Sequence, residues 1–172
     1  PLQVRAKRGI GYLPQSASIF RGMSVRGNLL AVMELIGIAK NKRADLLEKT
    51  LTDFGLTAIV NRLGVEISGG QRRRVEIARA LIADPKFLLL DEPFAGIDPI
   101  TVQEIQKLLI DLKKKKIGIL ITDHNVRETL SCCDRAYVLA KGKIIAEGEP
   151  RSILTNSRVC DIYLGQGFSN NL

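Results

Sequence analysis

Two short stretches of this sequence combine residue types that could hold a phosphate group and activate a water molecule. The first is Ser68-Gly69-Gly70-Gln71, which opens an arginine-rich segment of helical periodicity. A serine is a favourable N-cap, glycines admit a ligand close to the backbone, and the unpaired N–H groups of a helix start attract anions. The second is Asp91-Glu92, which directly follows the apolar run 87–90. These patterns predict a phosphate-facing helix start and a pair of carboxylates at the end of a strand.

A helix and a buried strand must position these residues. Val75, Ala78 and Leu81-Ile82 recur at helical spacing, so we expect them on the buried face and the arginines on the opposite face. The helix should end near Asp84-Pro85, because proline disfavours helical backbone in the residue before it. The apolar run 87–90 is typical of a parallel strand buried on both faces, and α/β sheets bind ligands at the carboxyl ends of such strands. Because adjacent strand residues point in opposite directions, one carboxylate could hold magnesium while the other polarises water.

The combination of these stretches resembles the ATPase domain of ABC transporters. Residues 68–81 are similar to the signature motif, residues 87–92 to the Walker B strand with its catalytic glutamate, and residues 95–98 to the D-loop. The resemblance runs from about residue 9 to residue 168. It implies an α/β fold, a P-loop NTPase-like ABC ATPase domain that has a largely parallel sheet core and an inserted helical subdomain and is incomplete at its N-terminus.

The resemblance also implies roles for individual residues, with ATP as the nucleotide and Mg²⁺ as the cofactor. Asp91 would hold the magnesium ion through water, and Glu92 would polarise the attacking water. Gln15, at the Q-loop position, would reach both the ion and that water. His124, the sole histidine of the sequence and the H-loop residue, would contact the γ-phosphate. The nucleotide-binding residues of the signature motif and D-loop would be Ser68, Gly69, Gly70, Gln71 and Asp98.

The same family pattern implies partner subunits. The helical subdomain forms a groove that receives a coupling helix from transmembrane permease subunits, and Phe20 and Arg21 are the predicted contacts. In the family, two ATPase subunits pair head to tail, so that each ATP lies between the Walker A motif of one and the signature motif of the other. Such a subunit would be cytoplasmic and peripheral on the inner face of the inner membrane.

A complete site of this kind needs a Walker A motif, Gly-x-x-x-x-Gly-Lys-Ser/Thr, whose backbone and lysine surround the phosphates. In these 172 residues the sole Gly-Lys pair is Gly142-Lys143, which Ile144 follows, and Tyr137 stands where the first glycine belongs. We therefore expect the parent protein to hydrolyse ATP and these residues alone to be inactive. They could still complete a site for a partner that has a Walker A motif.

The order of the motifs predicts one partial ABC ATPase domain over residues 1–172. A helical subdomain with the signature motif would span about 19–85, core strands with Walker B, D-loop and H-loop about 86–150, and a C-terminal helix and tail 151–172. Within these parts, helical spacing predicts helices at 25–36, capped by Ser24, and at 40–56, 101–116, 126–133 and 151–163. Residues 1–8 are interpreted as a loop or helix end.

Composition excludes some classes and leaves others open. The hydrophobic share of 45% predicts a folded chain, and no run of 18 uncharged apolar residues predicts a membrane span. A net charge of +8 could suit nucleic acid, an anionic membrane or a nucleotide. Aromatic residues make up 5% and do not interleave with a basic patch, so nucleic acid is not the expected partner. The three cysteines, Cys132, Cys133 and Cys160, lack metal-ligand spacing and fit a reducing cytoplasm.

Several stretches are most similar to the ATPase subunits of lipopolysaccharide export systems in Gram-negative bacteria. They are residues 9–15, 17–21, 68–81, 94–99 and 121–129, with Tyr163-Leu164-Gly165 and Phe168 in the tail. The ATPase of a branched-chain amino-acid importer shares much of this pattern, and the common motifs cannot separate the two. Two further classes stay open: a soluble ABC-type ATPase acting on nucleic acid or ribosomes, and a regulatory, non-hydrolysing ABC fragment.

Overall fold

The structure is a computed structural model that describes the backbone of residues 2–164 and the side chains of residues 4–162. The tail residues Gly165 and Phe168, and the side chains of Tyr163 and Leu164, lie outside this description. The chain divides into two compact units, Pro1–Asp123 and His124–Leu172, and each is described by itself. No helix within residues 2–164 is both long and apolar enough to cross a lipid bilayer.

The first unit alternates helices and strands. Its helices and strands in chain order are α1 (Leu2–Lys7), β1 (Ile10–Leu13), α2 (Val25–Leu35), α3 (Lys40–Asp53), a short 3-10 helix (Thr57–Ile59), α4 (Gly69–Leu81), β2 (Phe87–Asp91), α5 (Pro99–Lys114) and β3 (Gly118–Thr122). Within the stretch 1–8 that the sequence interpretation gave as a loop or helix end, residues 2–7 form the helix α1.

Among the described residues, β1, β2 and β3 form a parallel sheet with β2 in the centre. Leu13, Leu88 and Leu90 are buried on one face, whereas Phe87 on the other face is 58% exposed. The prediction that residues 87–90 are buried on both faces is therefore wrong for Phe87. This difference arises because adjacent side chains of a strand point to opposite faces of the sheet. The face with the buried leucines lies close to α4, since a Cβ added at Gly11 would lie 3.3 Å from the Ala80 carbonyl oxygen.

The helices α2, α3 and α4 pack around one apolar cluster. Its buried members include Leu29, Met33, Leu47, Leu51 and Val75. Ser24 caps α2 as predicted, because its hydroxyl accepts a hydrogen bond of 3.0 Å from the Gly27 N–H. The helices predicted at 25–36 and 40–56 are confirmed, with α3 ending three residues earlier than expected.

The second unit contains α6 (Val126–Leu130), the antiparallel pair β4 (Ala136–Ala140) and β5 (Lys143–Gly148), α7 (Pro150–Leu154), α8 (Ser157–Val159) and a π-helical turn (Cys160–Leu164). The predicted continuous helix at 151–163 is wrong. It is interrupted at Thr155-Asn156, and Asn156 caps α8 by accepting a hydrogen bond from the Val159 N–H. The predicted helix at 126–133 ends early, at Leu130.

Candidate functional site

The signature-like segment opens α4 with a complete capping box. The Ser68 hydroxyl accepts a hydrogen bond of 3.2 Å from the Gln71 N–H, and the Gln71 side chain accepts one of 3.1 Å from the Ser68 N–H. Two backbone N–H groups at the start of the helix thereby gain hydrogen-bond acceptors from each other's side chains. Since α4 has 13 residues, its N-terminus is the positive end of a well-formed helix dipole.

The two signature glycines lie against the start of α5. A Cβ added at Gly70 would lie 2.7 Å from Thr101 Oγ1, and one added at Gly69 would lie 3.6 Å from the Gly96 carbonyl oxygen. Gly70 is buried, so this close approach requires a residue without a side chain. The signature motif and the D-loop-like segment of this unit are thus in direct contact.

Asp98 is the N-cap of α5. Its carboxylate accepts hydrogen bonds from the Thr101 N–H at 3.0 Å and from the Thr101 hydroxyl at 2.7 Å. Both bonds favour the charged carboxylate and lower the pKa of Asp98. The cap makes Pro99 the first residue of the helix, where proline is well tolerated, and this explains why α5 begins before the predicted residue 101.

Three of the predicted site residues meet at the carboxyl end of β2. The side-chain amide of Gln15 donates a hydrogen bond of 2.8 Å to Glu92 Oε2. Asp91 ends β2, and its Oδ1 accepts a hydrogen bond of 2.7 Å from the hydroxyl of Thr122, its neighbour in β3. The structure therefore brings Gln15, Asp91 and Glu92 to one edge of the sheet, although Gln15 and Glu92 are separated by 77 positions in the chain.

The backbone at Glu92 has left-handed geometry. Its φ is +46°, a value that costs energy for a residue with a side chain. The Glu92 N–H donates a hydrogen bond of 2.7 Å to the Thr122 carbonyl oxygen, which fixes the turn to β3. A strained backbone that neighbouring groups hold in place is a common property of functional turns.

Arg73 supports this site although the sequence motifs do not indicate it. It is 7% exposed, and its guanidinium donates hydrogen bonds to four backbone carbonyl oxygens around this turn. The acceptors and distances are Glu92 (2.6 Å), Asp91 (2.9 Å), Pro14 (3.0 Å) and Pro93 (3.2 Å). Arg73 thus ties α4 both to the strained turn and to the residue before Gln15.

The expected placement of the α4 arginines opposite its apolar face did not indicate that Arg73 is buried. Its charge is buried because backbone carbonyls satisfy its donors and the Glu76 carboxylate lies 3.4 Å away. The sequence contains a signal for this position. Arg73 precedes the buried Ile77 by four residues and so lies on the same helix face.

The predicted partner contacts Phe20 and Arg21 are exposed. The Phe20 side chain is 48% exposed, and Met23 and Val65 are exposed apolar neighbours. Two backbone hydrogen bonds connect the residues of this surface. The Val65 N–H donates to the Arg21 carbonyl oxygen at 3.1 Å, and the Met23 N–H donates to the Phe20 carbonyl oxygen at 3.0 Å. An exposed aromatic ring with apolar neighbours and an arginine is a composition enriched at protein interfaces.

His124 is the first residue of the second unit and precedes α6. Within the first unit, the neighbouring Asp123 carboxylate accepts a hydrogen bond of 3.2 Å from the Phe94 N–H. The turn after β2 is thus fixed to the chain directly after β3.

The chemistry of these groups suits a magnesium nucleotide. The N-terminus of α4 offers a capped helix start with glycines, which is a suitable environment for a phosphate group. The Asp91 carboxylate and the Thr122 hydroxyl are oxygen donors of the kind that Mg²⁺ prefers. The Glu92 carboxylate, oriented by Gln15, is of the type that accepts a proton from water.

Comparison with known families decides the classification. The family model described as "ABC transporter" matches residues 3–95, more than half of the chain. The chain belongs to the ABC transporter family.

Relatives and solved structures agree with this assignment. A protein of Haemophilus influenzae named "Lipopolysaccharide export system ATP-binding protein LptB" is 52% identical over 98% of this chain and 70% of its own length. A solved ATP-binding cassette of an ABC transporter in its ADP conformation has a TM-score of 0.79 at 32% identity and matches 95% of this chain and 71% of its own. The structure of cbiO1 from Clostridium perfringens, part of the ABC transporter complex cbiONQ, has a TM-score of 0.78 at 28% identity, over 93% of this chain and 64% of its own. The resemblance and the α/β fold inferred from the sequence motifs are thereby confirmed.

Proposed function

We propose that this chain provides the signature, Walker B, Q-loop and H-loop parts of an ATP-hydrolysing subunit that drives lipopolysaccharide export. The observation that carries the ATPase proposal is the contact between Gln15 and Glu92 beside Asp91 at the end of β2. The 52% identity to a lipopolysaccharide export ATP-binding protein supports the choice of substrate.

In this proposal Glu92 polarises the water that attacks the γ-phosphate. The Gln15 amide holds Glu92 Oε2 at 2.8 Å and so orients the carboxylate. An oriented carboxylate accepts the proton as the water oxygen attacks phosphorus and the bond to the ADP leaving group breaks. His124 would contact the γ-phosphate, and Gln15 would also reach the attacking water.

Asp91 would hold Mg²⁺ through water, with the Thr122 hydroxyl fixing the orientation of its carboxylate. When bound, the ion would neutralise charge that develops on the phosphate oxygens. The signature residues Ser68, Gly69, Gly70 and Gln71, with Asp98, would bind the ATP held by the Walker A motif of a second subunit. This arrangement is a head-to-tail dimer.

The partners proposed on this basis are transmembrane permease subunits. Their coupling helix would contact the exposed surface at Phe20 and Arg21. A subunit docked in this way works at the cytoplasmic face of the inner membrane, as a peripheral protein.

The ATPase proposal is tested with a polypeptide that contains these 172 residues together with a Walker A segment, called the complete cassette below. We expect the complete cassette to hydrolyse ATP and the 172 residues alone not to do so, because the phosphate-cradling loop is missing from them. Steady ATP turnover by the purified 172-residue chain, absent from a Glu92→Gln control preparation, would contradict this expectation.

The substrate proposal needs a transport assay. The complete cassette should replace the Haemophilus influenzae relative in membrane vesicles that carry that protein's permease subunits, and it should support ATP-dependent release of lipopolysaccharide. A matched Phe20→Ala, Arg21→Ala variant should retain its fold and lose release, because the proposed docking contacts are removed. ATP turnover without lipopolysaccharide release in the unaltered cassette would argue for another transporter class.

A further inference from the structure

Residues 18–20, called the 18–20 segment below, connect the Gln15 region to the exposed Phe20 surface. This segment is a loop, yet each of its backbone N–H groups is bonded to a buried side chain. Glu76 Oε1 accepts hydrogen bonds from the Ser18 N–H at 2.6 Å and from the Ile19 N–H at 3.1 Å. The Asn28 side chain accepts one of 2.9 Å from the Phe20 N–H.

A second residue of α4 holds the other side of the same segment. Arg79 donates a hydrogen bond of 2.7 Å to the Ser18 carbonyl oxygen, and its guanidinium lies 4.5 Å from the centre of the Phe20 ring. This distance is typical of a cation–π contact. Burial lowers the pKa of Arg79, and the nearby Glu76 carboxylate partly offsets that effect.

Glu76 and Arg79 are three residues apart and therefore neighbours on one face of α4. Glu76 is 3% exposed, and burying a carboxylate is costly unless it is paired and hydrogen-bonded. Its other oxygen lies 3.4 Å from Arg73, which holds the turn at Glu92. The turn, α4 and the 18–20 segment are thus joined by buried charged side chains.

We infer that Glu76 and Arg79 are positioning residues that make the 18–20 segment move with α4. The helix also carries Ser68 and the signature glycines at its N-terminus, and Glu76 lies eight residues further along, about 12 Å at the rise of an α-helix. A displacement of the helix start on nucleotide binding therefore reaches Phe20 through a rigid element. This inference rests on the proposed function, because it assumes that nucleotide binds at the start of α4.

Hydrogen exchange of the complete cassette, followed by mass spectrometry with and without a non-hydrolysable ATP analogue and Mg²⁺, tests this inference. In the unaltered protein the analogue should change exchange both at residues 68–75 and at residues 16–22. In Glu76→Ala, the amides of Ser18 and Ile19 should exchange about tenfold faster or more, because their acceptor is lost. Residues 68–75 should still respond to the analogue, whereas the response of residues 16–22 should fall by at least about half, because only the Arg79 contacts remain.

Arg79→Met provides a milder variant should Glu76→Ala fail to fold, since it keeps the length of the side chain and removes the Ser18 bond and the ring contact. It should reduce the response at residues 16–22 by at least about half, because one of the two helix contacts remains. Arg74→Met is the matched control on the same helix, because Arg74 pairs with the exposed Glu104 instead. It should leave both responses unchanged.

Three results would overturn the inference. An undiminished response of residues 16–22 in folded Glu76→Ala or Arg79→Met would show that the segment does not depend on these side chains. A lack of response at residues 68–75 in the unaltered protein would overturn the proposed nucleotide site and, with it, this inference. A response that is lost equally in Arg74→Met would also refute it, since the effect would then be a general property of α4.

Discussion

Removal of the Arg73 guanidinium should destabilise the first unit strongly. The side chain is 7% exposed and donates to four carbonyl oxygens while facing the Glu76 carboxylate. Breaking a buried ion pair by removing one partner costs about 3–5 kcal/mol, because the remaining charge stays buried. Arg73→Met keeps most of the apolar stem, so the expected loss is due to the guanidinium and is about 3–5 kcal/mol. At a few degrees per kcal/mol for a protein of this size, the melting temperature should fall by about 6–20 °C.

Urea unfolding of the complete cassette measures this loss, with the midpoint and slope fitted separately. Arg74→Met is the matched control, since it removes the same group from the next position of the helix. Arg74 pairs with the half-exposed Glu104 at 3.7 Å, and such surface pairs contribute about 0–1 kcal/mol. Equal losses in the two variants, or a loss below about 1 kcal/mol in Arg73→Met, would refute the structural role assigned to Arg73. The loss of stability in Arg73→Lys should lie between zero and that of Arg73→Met, because lysine keeps the charge but not the planar set of donors.

Substitutions at Glu92, Gly70 and Asp98 test the site geometry. Glu92→Gln in the complete cassette should bind ATP like the unaltered protein and hydrolyse it at least about a hundredfold more slowly, since the proton acceptor is lost. ATP turnover at the wild-type rate would show that Glu92 does not accept the proton of the attacking water. Gly70→Ala should destabilise by about 1–3 kcal/mol in urea unfolding, because its Cβ would overlap the Thr101 side chain, and Thr101→Ala in the same chain should recover part of that loss. Because the pKa of Asp98 is lowered in the folded state, its cap stabilises the fold at neutral pH, and this stabilisation is lost as pH falls below about 4 and through the folded-state pKa. Asp98→Asn should weaken the pH dependence of the free energy of unfolding. An unchanged dependence in this variant would argue against the cap.

Several features of the site were predictable from local sequence. The capping box of Ser68 and Gln71 and the cap of Ser24 depend on residues three apart in the chain, so local pattern suffices to predict them. The strand at β2 followed by two carboxylates is likewise a local signal. The first and last residues of helices were predicted less accurately than these caps. α5 begins two residues before the predicted start, because Asp98 rather than a later residue provides the cap.

Other features depend on contacts between distant parts of the chain. Glu76 accepts a hydrogen bond from the Ser18 N–H, 58 positions away, and the Gln15 amide donates one to Glu92, 77 positions away. Helical periodicity assigns arginine and glutamate to a polar face, and it contains no information about which carbonyl oxygens another loop will present. For this reason the expected placement of the α4 arginines opposite its apolar face did not indicate that Arg73 is buried.

The family, the order of the motifs and the residue types that could bind phosphate and activate water can all be inferred from the amino-acid sequence, because those signals lie within short segments. Three contacts become visible only in the folded chain: Gln15 orients Glu92, Gly70 accommodates Thr101, and Arg73 and Glu76 join the turn to the 18–20 segment. Such contacts form where parallel strands and packed helices bring remote segments together. Burial then makes each unpaired charge or carbonyl costly enough to require its partner.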